Sequence, residues 1–312
     1  MPTIQQQPAL RILREARGQV PGDGIQLAFG YWPGRGAPVI GLHGLTASYV
    51  NFVGIAERLE GRRPLFAVDL RGRGDSDKPE GPYGMVQHAR DVAAAMRAMG
   101  LGPSIVIGHS MGAFVATALA AREPALVAGL VLIEGGYLLA MTSEAAPQKA
   151  LDAPLALRIT QLRETYPSRE AYRGFWQSQP HFPPEDWGPW VEAFLDYEIA
   201  GEAPRLKPKA SETAVRADVA SAFQVEEIVA HLRAIRVPVL MLRAESGFAP
   251  GTPPLFPEAI MEQFRTYVPG MEEETIAETT HYTIVLGNRG ATRIADLVDS
   301  FARRGTDTCR VP

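Results

Sequence analysis

The sequence predicts an α/β fold: a doubly wound, mostly parallel sheet with a helical cap insertion. Two observations predict it. From Ala37 to Leu139, short apolar runs alternate with helical patterns, which is the mark of successive βαβ units. That alternation stops near residue 140 and resumes at Val237, with helical, proline-punctuated sequence between. A chain of 312 residues has room for one large domain carrying such an insertion. The expected organisation is a core from residues 1–139 and 233–312, with residues 140–232 forming the cap.

The elements follow in order. Ile25–Trp32 is expected to form an antiparallel edge hairpin with the segment before it. APVIGLHG, PLFAVDL, SIVIGHS and AGLVLIEGG are nearly continuous apolar runs ending in Gly or polar residues, as required of strands buried on both faces. Between them, Tyr49–Leu59, Gly84–Met99 and Met111–Arg122 carry apolar residues at helical spacing. After the insertion, VPVLMLRA and MEEETIAET read as strands, PEAIMEQFRTYV and Ala291–Arg303 as helices. The insertion holds three of the four tryptophans, Trp176, Trp187 and Trp190. A linker would be polar and poor in large apolar residues, so this segment reads as packed structure.

Composition removes several classes of function. Lys+Arg number 31 against 35 Asp+Glu, a formal charge of -4, so the basic surplus of a nucleic-acid binder is missing. No apolar run approaches the roughly 20 residues of a membrane span. The first residues, MPTIQQQPALRILREARG, lack the apolar core of a secretory signal. The single cysteine, Cys309, leaves no internal disulfide framework and no cysteine zinc site. These readings lead to the expectation of a soluble, cytoplasmic protein with no nucleic-acid or membrane partner; they do not address its oligomeric state.

The strongest chemical signal is Gly108-His109-Ser110-Met111-Gly112, which fits G-x-S-x-G between a buried strand and a helix. A nucleophilic serine must project from a sharp strand-to-helix turn, and glycines on either side let the backbones approach closely. The helix N-terminus places free N–H groups and its positive end beside a developing oxyanion. Elsewhere the glycines form no P-loop and no G-x-G-x-x-G, so nucleotide binding is unsupported and no cofactor or metal is expected. In DLRGRGDSDKP, the arginines Arg71 and Arg73 read as loop structure, paired with Asp75.

LHGLTAS, DLRGRGDSDKP, GHSMGAFVA, LVLIEGG and THYTIVLG, in that order, resemble the α/β-hydrolase superfamily, specifically a serine esterase- or lactonase-like member with a helical cap. The resemblance covers nearly the whole chain outside the insertion. It implies an oxyanion hole made by the backbone N–H groups of Leu45, just after the strand ending at His43-Gly44, and Met111. It also implies the chain order nucleophile, acid, histidine. The last of six histidines, His281, follows a strand near the C-terminus and fits the base, since neutral imidazole accepts a serine proton near pH 7. His43 reads as a structural histidine.

Many members of the superfamily place the acid, an Asp, in the turn after the strand corresponding to VPVLMLRA. Here that turn reads Arg243-Ala244-Glu245-Ser246-Gly247, and a glycine in the acid's slot cannot orient an imidazole. Glu134, at the carboxyl end of GLVLIEGG, is therefore the first choice and Glu245 the alternative. Either would hold the tautomer of His281 and stabilise its imidazolium.

The implied function is a serine carboxylesterase acting on a mostly apolar small-molecule ester, with lactone or C–C bond hydrolysis as variants. Ser110 argues against the aspartate-nucleophile dehalogenases and epoxide hydrolases of this fold. A receptor-like binder with vestigial turnover is the competing class. Tyr137, Trp176, Phe182, Trp187 and Trp190 are the expected pocket wall, with Phe175 and Phe194 as further candidates. None of the cap arginines considered (Arg163, Arg169, Arg173, Arg205) demands an anionic acyl group.

Overall fold

Two strands at one edge, β1 (Ala16–Pro21) and β2 (Gln26–Trp32), form the expected antiparallel hairpin. A computed structural model describes residues 16–137, 156 and 158–307. The next four strands are β3 (Val39–Leu42), β4 (Leu65–Val68), β5 (Ser104–His109) and β6 (Val127–Ile133). All but one of their residues are buried, which is why they read as unbroken apolar runs instead of alternating ones. With β9 (Val239–Ala244) and β10 (Glu272–Ile276) they complete an eight-stranded sheet of order β1-β2-β4-β3-β5-β6-β9-β10. Only β2 runs antiparallel to its neighbours; the remaining pairings are parallel.

Helices cover both faces. The first three are α1 (Val53–Leu59), α2 (Met85–Ala98) and α3 (Met111–Arg122). One apolar cluster joins α1 to the short α9 (Thr283–Leu286) and the C-terminal helix α10 (Asn288–Asp307), and the other joins α2 and α3 to the opposite face. Strand order reverses at β3, whose neighbours are β4 and β5. The carboxyl ends of strands at such a point are where doubly wound sheets open a crevice.

Between β6 and β9 lie α4 (Arg169–Gln177), α5 (Pro189–Glu198), α6 (Glu212–Ala222) and α7 (Val225–Ala234), with the short pair β7 (Ile199–Ala200) and β8 (Lys207–Pro208). The boundary expected at residues 139 and 140 lies outside the described residues. The one expected at 232 and 233 falls inside α7, whose Ile228 and Leu232 join the same apolar cluster as α3 and α8 (Glu258–Tyr267). Among the described residues no helix is long and apolar enough to cross a membrane.

The inserted helices are fastened to the core by polar contacts as well as apolar ones. Tyr197 on α5 donates to Asp69 at 2.6 Å, Trp190 donates its indole N–H to Glu57, and Asp218 on α6 pairs with the fully buried Arg73. His88 on α2 reaches the same Asp218 oxygen at 2.9 Å. Despite burial, His88 and Arg73 hold the Asp218 carboxyl down at about 2, so this buried pair stays ionised.

Candidate active site

Ser110 stands between β5 and α3 with φ 55 and ψ −119, a strained conformation for a residue with a side chain. Its neighbours explain why the turn can be so sharp. A Cβ on Gly112 would lie 1.9 Å from the Leu42 carbonyl oxygen, and one on Gly108 would lie 2.4 Å from the Gly112 oxygen. Both distances are below any real contact, so the strand and helix can close on each other only with glycine there. The Ser110 N–H donates to the Ile133 carbonyl at 2.8 Å, tying the elbow to the end of β6.

One residue beyond β6, Glu134 also takes a positive φ, of 52. Its side chain is fully buried. One oxygen accepts the Ala244 N–H at 2.8 Å, and the other lies 3.2 Å from His281 Nδ1. Glu245 is placed elsewhere: it accepts the Glu278 N–H at an exposed site. The glycine in the expected acid slot serves the histidine through its backbone instead, the Gly247 carbonyl accepting the His281 N–H at 2.8 Å. His281 is further held by His109, whose Nε2 bonds the His281 carbonyl at 2.9 Å while Asn51 reaches His109 Nδ1 at 3.2 Å. Ser110, Glu134, His281, Leu45 and Met111 line one cavity.

Burial dominates the electrostatics. It lowers His281 to about 3, helped by His181. It raises Glu134 to about 8 against the opposing pull of the Ala244 N–H and Arg243. A dry site disfavours charge on either partner, so the two titrate as one unit.

The loop at Gly44-Leu45 is clamped on both sides of the Leu45 N–H. Gly44 runs directly beside Ser110, a Cβ there meeting the Ser110 Cβ at 3.3 Å. His43 Nδ1 donates to the Gly44 carbonyl at 2.8 Å, and His43 Nε2 accepts the Leu70 N–H at 2.9 Å. Burial lowers His43 to about 3, so the ring is neutral and its tautomer follows from these two bonds. On the other side, Arg73 Nε donates to the Leu45 carbonyl at 2.9 Å, and its Nη2 contacts the Met111 sulfur at 3.8 Å. A peptide whose flanking carbonyls are both held keeps its N–H direction. Among the described residues, no acceptor takes the backbone N–H of Leu45 or Met111. Two unengaged N–H groups beside a serine elbow suit a developing oxyanion.

The expected pocket wall is corrected. Tyr137, Trp176, Phe182, Trp187 and Trp190 do not line the cavity, and of the seven aromatics considered only Phe194 does. Each has a packing partner instead. Tyr137 is fully buried against Phe264 and Tyr267. Trp176, Phe182 and Tyr282 form one ring cluster, with Trp187 edge-on to Phe182. Trp190 lies on the backbone of α1 at Gly54, where a Cβ would meet the indole at 2.6 Å. Apolar area decides these positions: rings at helical spacing gain most by filling the seam between insertion and sheet.

The cavity's apolar wall is built from Phe114, Phe194, Phe223, Phe248, Leu255 and Phe256. Phe248, Leu255 and Phe256 come from the loop after β9, which carries no periodic pattern. The wall also holds an arginine that sequence reasoning passed over, Arg158. Its one signal in the sequence is that it stands alone among apolar residues in APLALRIT.

Comparison with known proteins agrees with this fold. A family model described as alpha/beta hydrolase fold matches residues 37–287. The 2-(acetamidomethylene)succinate hydrolase of Mesorhizobium japonicum is 32% identical over 217 residues, covering 69% of this chain and 72% of that protein. The N-formylmaleamate deformylase of Pseudomonas putida is 34% identical over 120 residues, 38% of this chain and 45% of that one. A crystal structure of E-2-(acetamidomethylene)succinate hydrolase superposes with a TM-score of 0.74 at 24% identity, over 93% of this chain and 98% of the other.

Proposed function

This chain belongs to the alpha/beta hydrolase fold family, and from that premise we propose that it is a serine hydrolase cleaving a small carboxylic ester through an acyl-enzyme. The observation that carries the reading is the meeting, in one cavity, of an elbow serine, a histidine and a carboxylate 3.2 Å from that histidine's Nδ1. Ser110 Oγ attacks the ester carbonyl carbon as His281 Nε2 takes its proton, and the carbonyl π electrons move to oxygen. The Leu45 and Met111 N–H groups receive that oxyanion. Collapse breaks the C–O bond, and the imidazolium returns its proton to the departing alcohol. Water, deprotonated by His281, then attacks the acyl carbon; the bond to Ser110 Oγ breaks, the imidazolium returns its proton to that oxygen, and the acid leaves. Glu134 keeps the Nδ1 proton in place and stabilises the imidazolium at each stage.

An amide is the second reading, favoured by the similarity to an acetamidomethylene succinate hydrolase and a formylmaleamate deformylase. The same residues would serve, with an amine as the leaving group. A lactone needs no change in chemistry, only a ring that fits. A cytoplasmic site of action belongs to this reading and rests on the sequence alone.

Turnover of p-nitrophenyl butyrate by wild type and by Ser110→Ala tests the proposal. The expected result is a burst followed by turnover, both falling by at least about a thousandfold in Ser110→Ala. Turnover that survives the substitution overturns the role of Ser110. Small-molecule binding without turnover in the wild type supports the receptor-like alternative.

A further inference from the structure

The cavity's charges are unevenly placed. Glu134 and His281 face each other, and Asp218 is paired with Arg73 and His88 at hydrogen-bond distance. Arg158 has no acid that close. Its side chain is 14% exposed and reaches the cavity just beside the oxyanion loop. Nε donates to Thr46 Oγ1 at 3.0 Å, Nη2 donates to the same oxygen, and Nη1 donates to Gln161 Oε1 at 2.9 Å. The guanidinium lies 4.6 Å from the centre of the Trp176 ring.

Each of those partners is neutral. A guanidinium carries five N–H groups, and these bonds engage three, leaving two with no acceptor among the described residues. Glu198 is the nearest acid, at 3.9 Å from Nη2, too far for a hydrogen bond. One of its oxygens accepts from Tyr172 at 3.0 Å, and the other, Oε1, has no partner. Burial raises Glu198 to about 7, against the pull of Arg158, so that carboxyl is only a partial counter-ion. Against the cost of burial, Glu198 keeps the Arg158 charge favoured, yet no acid comes within hydrogen-bond distance of the guanidinium, which rests on neutral acceptors with N–H groups to spare.

We infer that Arg158 is an anion subsite of this cavity, and that the substrate carries a carboxylate a few bonds from its scissile carbonyl. The spacing follows from Thr46, which Arg158 holds and which is the residue directly after the oxyanion donor Leu45. Adjacent Cα atoms are about 3.8 Å apart, so a carboxylate on the guanidinium and a carbonyl in the oxyanion hole are separated by a short chain. Half-esters or half-amides of short dicarboxylic acids meet that requirement. A carboxylate on two N–H groups makes charge-assisted bonds, while the apolar wall contacts the intervening carbons. On this inference the mostly apolar substrate expected from the sequence has an apolar middle and an anionic end.

The inference rests on the proposed hydrolase for its kinetic test and stands without it in a binding test. The kinetic test compares monomethyl glutarate with methyl pentanoate, alike in length and differing in charge. Wild type is expected to favour the half-ester by at least tenfold in kcat/KM, chiefly through KM. In Arg158→Gln that ratio falls to near one, and Arg158→Lys, which keeps charge but loses the fork, lies between. Equal loss on both esters, or no preference in wild type, overturns the subsite. The binding test titrates glutarate and the uncharged 1,5-pentanediol into wild type and Arg158→Gln by calorimetry, with the melting temperature checking that each variant is folded. Glutarate binding at least tenfold tighter than the diol, lost in Arg158→Gln and partly kept in Arg158→Lys, supports the subsite even if neither ester turns over. Glutarate bound no more tightly than the diol, or equally by both proteins, overturns it.

Discussion

The carboxyl edge of the sheet and the inserted helices line the same cavity, yet they position their residues by different physics. At the sheet edge, backbone geometry dominates. Ser110 and Glu134 each sit one residue past a buried strand at positive φ, and the parallel register of β5 and β6 sets them side by side. In the insertion, side-chain packing dominates. Trp176, Phe182 and Trp190 face the seam with the core, and what reaches the cavity is Phe194, one side of α6 with Phe223 after it (Asp218, Val219, Ala222), and Arg158. The lesson is that strand ends place chemistry by construction, whereas a helical insertion offers whichever side chains its packing leaves over.

The largest effect that can break this comparison concerns the acid. Glu134→Gln is expected to lower kcat by roughly 10²–10⁴-fold, because the amide no longer fixes the tautomer of His281 or faces an imidazolium with charge, while Glu245→Gln stays within twofold. The reverse outcome, measured on any ester the wild type turns over, would move the acid to the turn after β9.

Next comes the pH profile. Glu134 and His281 titrate as one unit, with Glu134 raised to about 8 and His281 lowered to about 3. Their singly protonated form therefore keeps its proton on Glu134, which then donates to Nδ1 and leaves Nε2 bearing the hydrogen. That form cannot take a proton from Ser110. Losing the proton creates the competent form, so kcat/KM for an uncharged ester should rise with pH toward about 8. At pH 6 it should stand on the order of a hundredfold below its plateau, since each pH unit below the pKa costs tenfold. A profile that levels off near pH 6.5, the ordinary imidazole value, contradicts this.

A smaller loss is expected where the two regions touch. Arg73 holds the Leu45 carbonyl and the insertion's Asp218 at once. Arg73→Met should lower kcat by roughly tenfold to a hundredfold through a misaimed donor, with a lesser change in KM. It should also weaken a trifluoromethyl ketone inhibitor by a similar factor. An unchanged kcat in a folded variant would separate the clamp from catalysis.

The smallest effect sharpens the packing side of the contrast. Phe194→Leu should shift the preference between butyrate and hexanoate esters several-fold, at most the 10–200-fold reached by one methylene in a tight pocket. Trp187→Leu, outside the cavity, should leave that preference as in wild type while lowering the melting temperature. Equal shifts in both would restore the tryptophans to the pocket.

Much of this site was legible before any coordinates. Continuous apolar runs disclosed buried parallel strands because both faces of such strands are covered. Gly108 and Gly112 framed Ser110 because the elbow leaves no space for a side chain. The missing carboxylate in the turn at Gly247 directed attention to Glu134, the residue the structure sets beside His281. The pocket was not legible. A stripe of rings at helical spacing states that a helix buries one face, not which surface it buries it against, and Tyr137, Trp176 and Trp190 went to the core.

By itself, then, the sequence determined the order of strands and helices, the sharp turn at Ser110 and the shortlist of acids, because each depends on local backbone sterics and on burial repeated along one strand. Only the tertiary structure decided which carboxylate meets the imidazole, how His43 and Arg73 grip the loop at Gly44 and Leu45, and that a solitary arginine ends beside it. Those are contacts between residues as far as 147 positions apart, set by how packed layers come together, and no local pattern in the chain encodes them.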